Sequence, residues 1–139
     1  MTTIPDLVVK AGVQQALDNL RAAFPDWVLT VLPDGQGGAW VEVASVPLGA
    51  PYVQGESFLI FLLPFTLPGS DIYPMFVRAD LARIDGGPLG DGFQQTEVSW
   101  PGEAAPRPII QVSRRTRGAF AAQTASQKVA KVLDWMRSR

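Results

Sequence analysis

The chain contains no cysteine and no histidine. Without cysteine there can be no disulfide, no zinc-thiolate site and no thioester formed on this chain. Without histidine the commonest general base and the commonest transition-metal ligand are both missing, so any enzyme built here must work with Ser, Thr, Tyr, Lys, Asp or Glu. Net charge is scarce too: 12 basic against 13 acidic residues leave −1, which gives no electrostatic argument for nucleic acid or an anionic membrane as partner. No apolar run approaches the length of a membrane span and Met1 to Lys10 lacks a signal-peptide pattern, so the expected location is cytoplasmic. With 139 residues, 47% hydrophobic and 18% charged, the expectation is one domain over 1–139 with a sizeable core rather than a disordered chain.

What is present is organised around the apolar run Glu56 to Phe65. Proline and glycine clusters flank it, which predicts a strand inside a sheet. Leu59, Phe61 and Leu63 point one way and Phe58, Ile60 and Leu62 the other, so both faces need cover. Pro64, Pro68 and Pro74 each remove a backbone donor and fix φ, which predicts a stiff crossing before Met75 to Val77 resumes a strand. Upstream, Val8, Val9, Val13, Ala16, Leu17 and Leu20 recur at helical spacing, with Pro5 near the start and Phe24-Pro25 at the stop. Trp27 to Leu32 and Ala39 to Val46 alternate around Pro33-Asp34-Gly35-Gln36-Gly37-Gly38, the pattern of a hairpin. That glycine-rich turn lacks the Lys-Ser/Thr of a phosphate loop and joins two strands, so it is read as a turn.

Ile84 to Gly92 reads as a loop. Thr96 to Trp100 has the make-up of a short strand, and Pro101, Pro106 and Pro108 keep the chain extended up to Ile109-Ile110-Gln111-Val112. Such an irregular stretch inside a small domain is commonly functional or mobile. The chain then forms a final helix, with Thr124 and Gln127 as a capping box and Ala125, Val129, Val132, Leu133 and Met136 as its buried stripe. Lys131, Arg137 and Arg139 suit its negative pole. The expected architecture is α+β: an N-terminal helix, a four-stranded antiparallel meander sheet, an irregular segment and a C-terminal helix.

The order of these pieces resembles the ubiquitin-conjugating (E2) fold. Ala50-Pro51-Tyr52 with Gly55 matches the family's turn between its second and third strands, and Tyr73-Pro74 matches the end of its crossing. The segment Ser113-Arg114-Arg115, followed by Phe120 and the helix from Thr124, is similar to bacterial E2-like proteins encoded beside ubiquitin-like proteins, E1-like enzymes and JAB-type proteases. Those tend to carry Ser-Arg-His, so Arg115 stands where their histidine would be. The eukaryotic His-Pro-Asn tripeptide has no counterpart.

The resemblance implies a UBC-like fold and partners that include a ubiquitin-like protein, an E1-like enzyme and a JAB-type protease, with no cofactor, no metal, no nucleic acid and no membrane. It puts the family's cysteine position at or next to Val112 and Ser113. One reading is a carrier in which Ser113 takes the ubiquitin-like C-terminus as an oxyester, Arg114 and Arg115 stabilise the oxyanion, and one of Asp80, Asp85, Asp91, Glu97 or Glu103 acts as base. Ser99 and Thr116 are the fallback nucleophiles. A second reading is an inert, cysteine-less module that binds the ubiquitin-like protein or the E1-like enzyme, with Gln14, Asp18 and Arg21 of the first helix facing the latter. A small acidic chaperone is a third. Alanine at 119, 121 or 122 in place of a native cysteine is also compatible with the sequence.

Overall fold

A computed structural model describes residues 8–139; Pro5, expected near the first helix, lies outside them. The element order is α1 (Ala11–Ala23), β1 (Leu29–Pro33), β2 (Ala39–Pro47), β3 (Glu56–Leu63), β4 (Met75–Arg78), β5 (Phe93–Val98), β6 (Arg107–Val112) and α2 (Ala125–Arg137), the last preceded by a single 3-10 turn at Phe120–Ala122. All strand pairs are antiparallel, in the order β1-β2-β3-β4-β6-β5. The sheet therefore has six strands where the sequence predicts four, and it is a meander only as far as β4. The segment expected to be irregular supplies the other two: β6 pairs with β4 through Val77↔Ile110 and its neighbours, and β5, which takes in Thr96 to Val98 of the short strand expected at Thr96 to Trp100 but starts at Phe93, hangs on the outer side of β6.

Helix α1 is shorter than its apolar pattern. Val8 is exposed, and the Lys10 amide donates to the Gly37 carbonyl at 2.8 Å, which holds the chain extended until Ala11. Val13, Leu17 and Leu20 supply its buried stripe. Phe24 and Trp27 stack at 3.8 Å and close the turn into β1, so the strand starts two residues later than its alternation suggests. The central run is a strand only to Leu63; Pro64 opens a turn in which the Leu67 amide donates back to it, leaving Phe65 45% exposed.

Both helices lie in the main core, against the face of the sheet that carries Val41, Val43, Leu59, Phe61, Met75, Val77, Ile110 and Val112. Among the described residues no helix covers the opposite face. Ile60, Phe76, Val98, Trp100 and Ile109 form a second, smaller cluster there, with Trp40 and Phe58 half-buried against it. The apolar make-up of β3 and its neighbours leads one to expect a single core holding Phe58, Ile60, Phe61, Leu62, Trp40 and Leu133; the sheet itself splits it, and Phe58, Leu62 and Trp40 are only half-buried. The second face is roofed by a side chain: the Arg107 guanidinium lies 5.2 Å from the Phe58 ring and 5.8 Å from Trp100, while Glu42 and Glu103 hold it at 2.8 and 2.9 Å. An apolar face can be covered this way because guanidinium stacks on aromatic rings while its edge stays hydrogen-bonded.

The turn and the crossing fix both helices. Tyr52 is buried, its hydroxyl donating at 2.7 Å to the Met136 carbonyl in the last turn of α2, which otherwise accepts only longer backbone bonds such as that of the Arg139 amide at 3.3 Å. Burial pushes its phenol up and keeps it the donor, although Arg83 and Arg139 pull the other way. At the other end of α2 the capping box is formed as expected, and the Ser126 amide donates to the Asn19 side chain of α1 at 2.8 Å. Gly12 lets α1 press directly on the crossing: a methyl there would overlap the Leu67 carbonyl oxygen.

Candidate functional site

Ser113 is the first residue past β6. Its amide donates to the Gly92 carbonyl at 2.7 Å, and its hydroxyl accepts from the Gln111 carboxamide at 3.1 Å. Among the described residues no carboxylate is hydrogen-bonded to it. Of the five candidate bases, Asp80 is engaged by Arg78, Asp85 by Arg83 and Glu103 by Arg107. Those hydrogen bonds hold all three carboxyls below the usual range, which favours the charged form and makes each a weaker base. Asp91 and Glu97 are exposed.

The two arginines after Ser113 are committed to rings. The Arg114 guanidinium lies 5.3 Å from the Trp135 ring, and that of Arg115 lies 4.2 Å from Tyr73. The structure thus gathers the Ser-Arg-Arg segment, the Tyr-Pro crossing and α2 into one region, without placing a general base at Ser113.

Beneath this segment is a buried polar cluster that sequence reasoning missed. Lys128 on α2 is 3% exposed and donates to the Arg114 carbonyl (2.6 Å), the Thr116 hydroxyl (2.9 Å) and the Asp71 carboxylate (3.3 Å). Asp71, on the crossing, also accepts from the Thr116 amide at 2.7 Å and hydroxyl at 2.8 Å. Gln123 donates to the same hydroxyl at 2.7 Å. The capacities match: three ammonium protons find three acceptors, and Thr116 Oγ1 gives one hydrogen bond and receives two.

Both partners of this ion pair titrate below their ordinary values, which favours the charged form of Asp71 and disfavours that of Lys128. For Asp71, burial pushes the carboxyl up, but the Thr116 hydrogen bonds and the nearby ammonium outweigh it and leave it below the ordinary value. For Lys128, burial prevails over the attraction of Asp71, and the ammonium is pushed down. The difference follows exposure: Asp71 keeps 16% of its side chain in contact with solvent and Lys128 only 3%, so dehydration falls on the cation. Of the two fallback nucleophiles, Thr116 has a carboxylate partner, but one whose depressed value suits an anchor more than a base. Ser99 is exposed beyond β5.

A cavity of about 310 Å³ opens beside this cluster, between α1, the crossing, the 3-10 turn and the first turn of α2. Gly12, Ala16, Ala121 and Ala125 give it small apolar walls, Asn19 and Gln123 add carboxamides, and Lys128 and Asp71 lie at its charged end.

Because the Asp71 carboxyl is depressed in the folded chain, its contribution is present above the unfolded value of about 4 and is lost as pH falls through the folded one. Because the Lys128 ammonium is also depressed, stability rises with pH between its folded value and the unfolded value of about 10.4. Urea melts across pH should therefore show an acid limb that is shallower in Asp71→Asn and an alkaline rise that is absent in Lys128→Met. Identical limbs in wild type and Asp71→Asn would remove Asp71 from the acid transition.

No protein-family model matches the chain, and neither a curated protein nor a solved structure is significantly similar to it. Among the described residues no helix is long and apolar enough to cross a membrane.

Proposed function

We propose that the chain is a UBC-like module that binds a ubiquitin-like protein or its E1-like enzyme without carrying an acyl group. The α+β build with helices at the two ends supports the UBC part of this reading. So does the way Tyr52 of the Pro-Tyr turn and Tyr73 of the crossing both meet the C-terminal segment. The β5–β6 pair is an addition to the four-stranded plan. The observation that carries the inert reading is the partner of Ser113: a carboxamide that donates to its hydroxyl, where an acyl acceptor needs a group that removes the proton.

The experiment is incubation with an E1-like enzyme, ATP and a ubiquitin-like protein, read by calorimetry and by gel. Non-covalent binding without an adduct is expected, with Ser113→Ala and Thr116→Val unchanged. Arg21→Glu, on the exposed face of α1, should weaken binding to the E1-like enzyme by about tenfold if that helix is the contact. An adduct stable to thiol reductants, lost in strong base and absent from Ser113→Ala, would overturn the inert reading in favour of the oxyester carrier.

A further inference from the structure

The net charge of −1 conceals a strong asymmetry. Residues 113–139 hold seven of the 12 cationic side chains and one of the 13 carboxylates, Asp134, so this stretch has a positive surplus and the rest of the chain a negative one. The two sets of arginines are also used differently. Upstream, Arg78, Arg83 and Arg107 each hold a carboxylate. Downstream, Arg114, Arg115, Arg117 and Arg139 are all exposed, and among the described residues none is ion-paired. Three of them nonetheless lie against aromatic rings. Arg114 and Arg139 lie 5.3 and 4.5 Å from the one Trp135 ring, and Arg115 lies over Tyr73. Stacking fixes the plane of each guanidinium and leaves N–H groups at its edge for an oxygen acceptor.

We propose that this arginine face docks an acidic segment of a partner protein, its carboxylates taken up by Arg114, Arg115, Arg117 and Arg139. Held guanidinium groups forfeit little freedom on binding, and carboxylate suits their fork. A nucleic acid fits less well on two counts. Single strands are gripped by bare rings on which bases stack, whereas here Trp135 is covered by guanidinium groups and stacked on Phe93 at 5.2 Å, and Tyr73 by Arg115. A polyanion running past the face would also meet the acidic remainder of the surface. The face is defined by its own side chains, with no residue matched to any family, and is independent of the ubiquitin-like reading.

The test uses the whole chain and a short fluorescein-labelled peptide of alternating Glu and Ala, followed by anisotropy. Binding should weaken with added salt, and by about tenfold in both Arg114→Gln/Arg139→Gln and Arg115→Gln/Arg117→Gln, with Lys10→Gln, an exposed cation ahead of α1, unchanged. Arg114→Lys/Arg139→Lys keeps the charge and should recover only part of the loss; circular dichroism checks that each variant is folded. Equal loss in Lys10→Gln would reduce the effect to overall charge and overturn the assignment. An oligothymidylate of the same charge binding as tightly as the peptide would give the face to nucleic acid instead. Peptide affinity indifferent to both double substitutions would also overturn it.

Discussion

Lys128→Ala is expected to destabilise the domain by about 3 kcal/mol, the lower end for breaking a buried ion pair by removing one partner. The lower end applies because Asp71 is left with both Thr116 hydrogen bonds and some solvent, whereas a fully enclosed carboxylate would have neither. The loss has a local signature. Lys128 is the only described side chain that binds the Arg114 carbonyl, so its removal frees the strand-to-helix segment that carries Arg114, Arg115 and Arg117. Trypsin should then cut after these arginines faster than in the wild type, at denaturant concentrations where the rest of the chain remains folded. Lys128→Met, which keeps most of the volume and brings no charge, should lose the same clamp. A loss under about 1 kcal/mol with unchanged cleavage would show that the segment is held by something else.

Phe61→Ala should cost more, about 3 to 5 kcal/mol, the range for an aromatic deleted from a packed core. Phe61 is fully buried on the helix-covered face of β3, opposite Val41 of β2 and Met75 of β4, so the void would sit at the centre of the sheet and under both helices. Phe58, three positions away and on the opposite face, makes the control. It is half-buried and roofed by Arg107, which can follow a shrinking neighbour; Phe58→Ala should cost clearly less. Urea melts of the two variants decide it: equal losses would mean that the two faces do not differ in packing.

These two residues also show what the sequence could and could not reveal. Phe61 was legible because strand alternation is local, as were the β1–β2 hairpin, with its Asp34 side chain accepting from the Gln36 and Gly38 amides, and the Thr124–Gln127 capping box. Strands β5 and β6 were legible only in part, as a short strand at Thr96 to Trp100 and an extended stretch up to Val112. Gln94, Gln95, Thr96 and Glu97 are all exposed on an edge strand, so no apolar alternation marks it, and the union of β6 with β4 joins residues far apart in the chain. Lys128 sits at helical spacing between Ala125 and Val132, which places it on the buried stripe by position. Its partners Asp71 and Thr116 come from two other segments, and no pattern along the chain pairs them. Ser113, Arg114 and Arg115 were singled out together and are found together, yet their surroundings, Gln111, Trp135 and Tyr73, depend on tertiary packing.

The contact at Gly12 sets a dimension that substitution elsewhere cannot alter. Most cavities are bounded by side chains, which swing between rotamers and can be lengthened or trimmed to suit a different guest. Here one flank of the 310 Å³ cavity is the backbone of α1 resting on the peptide carbonyl of Leu67, two rigid groups with nothing between them. Changes at Ala16, Ala121 or Gln123 can alter the lining, but the gauge is fixed by the touching of two main chains. Any side chain at position 12 would act as a wedge, driving the first helix off the crossing and opening the cavity.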